Sequence, residues 1–230
     1  MESFINPLMP FVERRFISLK ILAHRGYWNK ETPRNSPAAL KQAIEHGYGF
    51  ESDIRDYAGK LVISHNPANK DNQDAAEIFH WLAEQQDRFC FAINIKADGL
   101  GELLLEQIEK NQIKNYFVFD MSVPQMVEYD NLGLKYFTRQ SEIETIPVMY
   151  EKASGIWLDG FWGTNWITEE LLNHHIEYNK KICIVSPEHH KREFKIFWNR
   201  LKGFRTDFSQ ILLCTDYPVE AKDIFKDLAE

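Results

Sequence analysis

Short, nearly unbroken apolar runs alternate along the chain with longer stretches whose apolar residues recur every three or four positions. The runs are Lys20–His24, Phe50–Ile54, Phe91–Lys96, Tyr116–Asp120, Leu134–Thr138, Ile156–Asp159, Ile182–Ser186 and Ile211–Thr215. Continuous apolarity over so few residues marks strands buried on both faces. The periodic stretches, among them Ser36–Glu45, Gly101–Lys110, Glu169–Tyr178 and His190–Leu201, read as amphipathic helices. Strand followed by helix, repeated, predicts parallel βα units, because parallel neighbours need a long crossover. Eight such strands close most simply into a (β/α)8 TIM barrel, with a doubly wound open sheet as the structural alternative.

One run breaks the alternation. Leu61–Ser64 follows Phe50–Ile54 after only the turn-like Arg55 to Lys60, too short a gap for a parallel crossover. It reads as a hairpin that carries His65 back over the end of the barrel. Helix starts agree with the phasing: Ser36 and Asp216 stand just before prolines suited to a first turn, and Thr168 precedes Glu169 and Glu170.

Composition narrows the class. At 230 residues with 44% hydrophobic positions, the chain has enough apolar matter for one barrel core, so residues 1–230 read as a single domain with 1–18 as an N-terminal extension. A formal charge of −7 argues against a nucleic-acid partner, which is bound through a basic excess. Cys90, Cys183 and Cys214 are too few and scattered for a disulfide framework or zinc site and read as small core hydrophobes. No stretch is apolar for long enough to span a bilayer, and MESFINPLMPFVERRF lacks the hydrophobic run of a signal peptide. A cytoplasmic protein is the default expectation, and nothing in the sequence sets its oligomeric state.

Candidate chemistry gathers at the C-terminal ends of the strands, the end that carries active sites in this fold. His24 and Arg25 end the first strand, Glu51 and Asp53 lie on the second, and Lys96 ends the third. Asp120, Arg139, Asp159, Glu188 and Asp216 end or follow later ones. Two residues apart on a strand, Glu51 and Asp53 project to the same side, where a hard Mg²⁺ or Ca²⁺ would relieve their repulsion. Ion pairs with Arg25 or Arg55 would serve as well. Histidines 24 and 65 can exchange protons near neutral pH, and Arg25 can grip phosphate oxygens bidentately. Asp159 and Asp216 read equally well as helix caps. His189 and His190, followed by Lys191 and Arg192, are either a phosphate grip or a solvated helix start. Trp28, Trp162 and Trp166, set in loops, could line a pocket wall.

Four of these elements together resemble the opening of the glycerophosphodiester phosphodiesterase family. That family shows His-Arg-Gly, Pro-Glu-Asn-Thr, Glu-x-Asp and His-Asp in this order. Here they stand as His24-Arg25-Gly26, Pro33-Arg34-Asn35-Ser36, Glu51-Ser52-Asp53 and His65-Asn66, with Thr215-Asp216-Tyr217-Pro218 fitting the family's ending. The resemblance implies a barrel phosphodiesterase with catalytic His24 and His65, Arg25 and Lys96 on the phosphate, and one Mg²⁺ or Ca²⁺ on Glu51 and Asp53. It also implies a third acidic ligand two residues before the lysine. Asn94 stands there, so weaker metal affinity or help from Asp120, with Glu188 as a further candidate, is expected. The motifs depart as well at Arg34 and Asn66, as in a divergent branch. The short excursion from Asn66 to about Arg88 replaces the family's inserted domain and resembles its sphingomyelinase D-like members.

The expected partner is a small phosphodiester, cleaved to an alcohol plus a phosphomonoester or cyclic phosphate. Two rival readings use the same residues: a noncatalytic phosphate-ligand-binding barrel, supported by Asn94, and a different barrel enzyme with Lys96 as nucleophile.

Overall fold

In the computed structural model, which describes residues 19–229, the predicted barrel is present; the segment 1–18 lies outside the described residues. Strands β1 (Lys20–His24), β2 (Gly49–Tyr57), β3 (Lys60–Ile63), β4 (Phe91–Ile95) and β5 (Tyr116–Phe119) are followed by β6 (Phe137–Gln140), β7 (Gly155–Leu158), β8 (Lys181–Val185) and β9 (Ile211–Thr215). Helices α1 (Pro37–Glu45), α2 (Ala76–Glu84), α3 (Gly101–Lys110), α4 (Val123–Asn131), α5 (Glu169–Glu177), α6 (Lys195–Lys202) and α7 (Pro218–Phe225) fill the crossovers. The parallel order is β5-β4-β2-β1-β9-β8-β7-β6, and β3 pairs antiparallel with β2 as the hairpin reading expects.

The circle closes between β5 and β6 through a short seam. Val118 bridges Tyr136 in parallel, the Val118 N–H donates to Lys135 O at 2.9 Å, and the Phe117 and Phe137 rings stack at 3.8 Å. This closure rules out the open doubly wound sheet. Several element ends move, β2 running on to Tyr57, and two of the shifts have a clear local cause. The sixth strand begins at Phe137, not Leu134, since Tyr136 touches the sheet only at that bridge. The helix expected over His190–Leu201 is broken: Pro187–His190 form a 3-10 turn, Lys191 turns left-handed (φ 58°), and α6 begins at Lys195. Among the described residues no helix is long and apolar enough to cross a membrane.

Strand register sets the mouth. Parallel partners point to the same face, as do residues two apart on one strand. His24 pairs with Glu51, Asp53 with Asn94, and Asn94 with Phe119. His24, Glu51, Asp53 and Asn94 therefore share the barrel interior, above a packed floor of Leu22, Ala92, Phe117, Trp157, Cys183 and Cys214. Lys96 and Asp216 continue the same alternation just past β4 and β9. The helix-facing sides of the strands bury two larger apolar clusters, which fix the ring of helices. The cysteines are free and buried, as expected.

Candidate active site

β1 ends in a left-handed turn at Arg25 (φ 58°) and Gly26 (φ 85°). A Cβ at Gly26 would lie 2.5 Å from the Ala39 carbonyl carbon, so only glycine lets the loop sit against α1. The turn aims the Arg25 N–H at Glu51 Oε2 (3.1 Å) and brings its guanidinium Nε to 2.9 Å from Asp53 Oδ2. Asn35, itself left-handed, donates to the same Asp53 oxygen at 2.7 Å and accepts from the Ser52 hydroxyl at 3.0 Å. The Asn of the Pro-Arg-Asn-Ser run thus braces β2 at Ser52 and Asp53. Ser36 caps α1 through the Ala39 N–H.

His24 is oriented by Asp216. Its Nδ1–H donates to Asp216 Oδ1 at 2.7 Å, which leaves Nε2 as the exchangeable nitrogen, 3.8 Å from Glu51 Oε2. The other Asp216 oxygen accepts from Arg34 at 2.9 Å, and the Arg34 guanidinium lies 4.0 Å over the Trp28 ring. Burial pushes the Asp216 carboxyl up, but His24, Arg34 and Trp28 together hold it below the usual carboxylate range. As a helix cap Asp216 fails: α7 has no side-chain cap. Asp159 also does other work, bonding His190 Nε2 at 2.6 Å. Arg34, a departure from the family motif, is here the second partner of the residue that holds His24.

Glu51 and Asp53 are buried, 1% and 0% exposed. Burial first, then the Asp53 charge, raises the Glu51 carboxyl above its ordinary range, against the pull of His24 and Arg25. Glu51 Oε1, Asp53 Oδ1 and Asn94 Oδ1 are all buried with no hydrogen-bond partner among the described residues. An unsatisfied buried acceptor costs about 1–3 kcal/mol. Three acceptor oxygens, two of them on carboxylates and all on adjacent β2 and β4, fit a hard cation. Lys96 Nζ lies 3.6 Å from Asp53 Oδ1 and 3.3 Å from Asp120 Oδ2.

The remaining candidates separate. Asp120 is drawn away to Arg139, at 2.5 Å, as well as to Lys96. Glu188 does not join the orphaned oxygens: its carboxylate is taken up by Ser186, Thr215 and the Asp216 N–H, so it braces the loop that carries Asp216. His65 is exposed on the turn after β3, where its Nδ1 meets Asn66 Oδ1 at 3.1 Å. The Ser64 N–H bonds Asp53 O at 3.0 Å, which sets that turn on the rim beside β2. Of the two predicted acid/base histidines, only His24 touches the acidic cluster.

His189 gave no sharp signal in the sequence. Its ring stacks on His24 at 3.9 Å, its Nε2 is buried without a partner, and burial, then the His24 charge, keep it well below the usual histidine range. It is not a solvated helix start. His24, His189 and Asp216 place three ligand-type atoms within 4.8 Å of one another. Imidazole nitrogens suit zinc better than Mg²⁺ or Ca²⁺, and face-to-face rings turn their in-plane lone pairs away from a common point. By donor chemistry the oxygen set matches a hard cation more closely than this cluster does.

No protein-family model and no curated protein sequence matches the chain. Solved structures do. A glycerophosphodiester phosphodiesterase from Parabacteroides distasonis superposes with a TM-score of 0.70 at 15% identity, over 92% of this chain and 98% of that one. One from Agrobacterium tumefaciens gives 0.61 at 15%, over 91% and 98%. The tryptophan synthase α-subunit of Pyrococcus furiosus gives 0.52 at 14%, over 93% and 96%. The likeness is one of fold: the chain is a (β/α)8 barrel of the kind seen in glycerophosphodiester phosphodiesterase structures.

Proposed function

We propose that this chain is a metal-dependent phosphodiesterase acting on a glycerophosphodiester-like substrate. The observation that carries the reading is the set of three orphaned buried oxygens beside a histidine held by a carboxylate. The four-motif resemblance and the phosphodiesterase structures among its fold neighbours support it. Glu51, Asp53 and Asn94 would hold one Mg²⁺ or Ca²⁺, which supplies positive charge for the nonbridging phosphate oxygens.

The chain's own residues do the rest. Arg25 and Lys96, both already turned toward Asp53, add positive charge where the phosphoryl group would sit. His24 exchanges a proton through Nε2 while Asp216 fixes its tautomer. His65, on the rim, serves as the second proton-transfer group. One histidine takes the proton of the attacking water or neighbouring hydroxyl. The other donates to the departing alkoxide as the P–O bond breaks, giving an alcohol with a phosphomonoester or a cyclic phosphate. The likeness to a barrel of unrelated chemistry keeps this reading tied to the site and not to the fold.

His24→Ala should lower turnover of glycerophosphodiesters by roughly 10²–10⁴-fold with an unchanged circular dichroism spectrum. Chelation should abolish wild-type turnover, and added Mg²⁺ or Ca²⁺ should restore it. Full activity of His24→Ala, or of exhaustively chelated protein, would contradict the reading. Asn94 favours one rival, a noncatalytic phosphate-ligand-binding barrel, and measurable phosphodiester cleavage by wild type removes it.

A further inference from the structure

The alternation that points His24, Glu51, Asp53 and Asn94 into the mouth also sets the row at the opposite, N-terminal end of the strands. Lys20, Lys135 and Lys181 stand two residues before Leu22, Phe137 and Cys183, which all belong to the packed floor, so the lysines share its inward face. With Lys114, just ahead of β5, they line one cavity of about 250 Å³. Its lining holds no aspartate or glutamate, in a chain whose formal charge is −7. Phe117, Phe137 and Leu212, from the same floor, give it an apolar wall.

All four lysines are exposed. Among the described residues none of them has a carboxylate within ion-pair distance, whereas Lys60, Lys96, Lys152 and Lys202 each do. Lys135 Nζ donates to Lys114 O and lies 5.5 Å from the centre of the Tyr116 ring, which ties that side chain to the cavity wall. Asp87, on the neighbouring loop, turns its Oδ1 to the backbone N–H groups of Lys114 and Asn115, at 2.7 and 3.2 Å. Burial pushes the Cys90 thiol in the same wall up to about 12, and Lys181, Lys20 and Lys135 pull it back, so three of the charges act on one point. A second cavity adjoins through Lys20 and Cys90 and adds Arg88 and Lys222, but Asp223 and Glu220 act on Tyr48 in its wall. The first cavity carries the purer charge.

Conservation of a barrel's stability is the usual work of this face. Like charges gathered round one cavity do the reverse, since they repel one another. A cleft lined by one sign of charge over an apolar wall focuses its field on an incoming counter-ion, and ammonium groups suit phosphate oxygens. We propose that the N-terminal end of the barrel is a binding site for a condensed phosphate, held between Lys20, Lys114, Lys135 and Lys181. Four ammonium groups call for several negative charges on one small ligand, so a triphosphate fits the site better than a single phosphate. The site lies at the far end of the strands from the candidate active site and does not depend on the phosphodiesterase reading.

Calorimetric titration of inorganic triphosphate into the full chain tests this, after metal has been removed and the chelator exchanged away. Wild type should bind triphosphate, more weakly as salt is added, and bind inorganic monophosphate about tenfold less tightly. Lys135→Gln combined with Lys181→Gln, both at exposed positions, should weaken triphosphate binding about tenfold. The thermal midpoint of that empty double variant should match or exceed wild type, because repulsion has been removed. Lys96→Gln, at the mouth, should bind triphosphate as wild type does. No binding by wild type, equal affinity in the double variant, or an empty double variant less stable than wild type would overturn the proposal. So would a loss in Lys96→Gln as large as in the double variant, which would put the anion at the mouth.

Discussion

The two halves of the barrel mouth treat their polar groups differently. Around β6, β7 and the loops beyond them, polar side chains satisfy one another. Arg139 joins Asp120 and Glu144, His190 joins Asp159, and Glu142 accepts the N–H groups of Phe161, Trp162 and Gly163. Around β1, β2 and β4, the more deeply buried Glu51 Oε1, Asp53 Oδ1 and Asn94 Oδ1 have no hydrogen-bond partner among the described residues, and the Glu51 carboxyl is held above its ordinary range. Since nearly all buried polar groups in proteins are paired, the satisfied half reads as scaffold and the unsatisfied half as the part shaped for a ligand. The comparison can be broken from either side.

The largest expected effect lies in the satisfied half. His175 is 2% exposed, accepts from the Tyr150 hydroxyl at 2.9 Å and donates to Gln140 Oε1 at 2.8 Å, so its neutral form is fully bonded. Burial, then the neighbouring His174, lowers its pKa to about 4. In the unfolded chain the same group titrates near 6.5. Stability should therefore be complete above about pH 6.5 and fall by about 3 kcal/mol as the pH drops to about 4. Urea unfolding across that window should show the slope in wild type and lose it in His175→Leu. The same slope in the variant would mean that this network is not the scaffold described here.

The second test asks whether Asp216 belongs with the ligand-shaped half. Asp216→Asn keeps the shape but no longer favours the His24 tautomer that presents Nε2. Turnover should fall by roughly 10–100-fold, the scale seen when a partner that orients a functional histidine is lost. Arg34→Ala, which removes a partner from the Asp216 oxygen that does not hold His24, should cost less. The readout that separates positioning from structural damage is kcat falling with KM held and the thermal midpoint little changed. An equal loss in both variants, tracking stability, would move Asp216 to the scaffold.

How much of this division was legible in the chain follows from the range of each interaction. The alternation of runs gave the barrel, and the short gap at residues 55–60 gave the hairpin, because both depend on neighbours in sequence. Glu51 with Asp53, and Asn94 with Lys96, were readable for the same reason: a period of two on one strand puts side chains on one face. The Asp216–His24 bond joins residues 192 apart and exists only because β9 pairs with β1 when the barrel closes, so the local pattern could not separate a site carboxylate from a helix cap. His189 was hidden by a false continuity, since the apolar spacing of α6 ran back across Lys191, where the backbone turns left-handed. The placement of His65 depended on a turn whose direction periodicity does not encode.

The smallest effect is the sharpest probe of the unsatisfied half, since it alters that half without destroying it. Asn94→Asp changes one orphaned neutral oxygen into a charged one beside Asp53, its partner across the β2–β4 pair. With no cation present, a third buried carboxylate near Glu51 and Asp53 adds repulsion, and the thermal midpoint should drop by a few degrees. With Mg²⁺ or Ca²⁺ present the added charge should pull the other way, tightening calorimetric metal affinity about tenfold, because hard-cation sites are tuned by their ligand charge. The opposed signs are the point. A mutation that merely disturbs packing would lower the midpoint with and without metal, whereas a substitution inside a cation site must destabilise the empty protein and favour the loaded one. Metal affinity unchanged in Asn94→Asp would remove Asn94 from the set and leave the three orphaned oxygens without a common explanation.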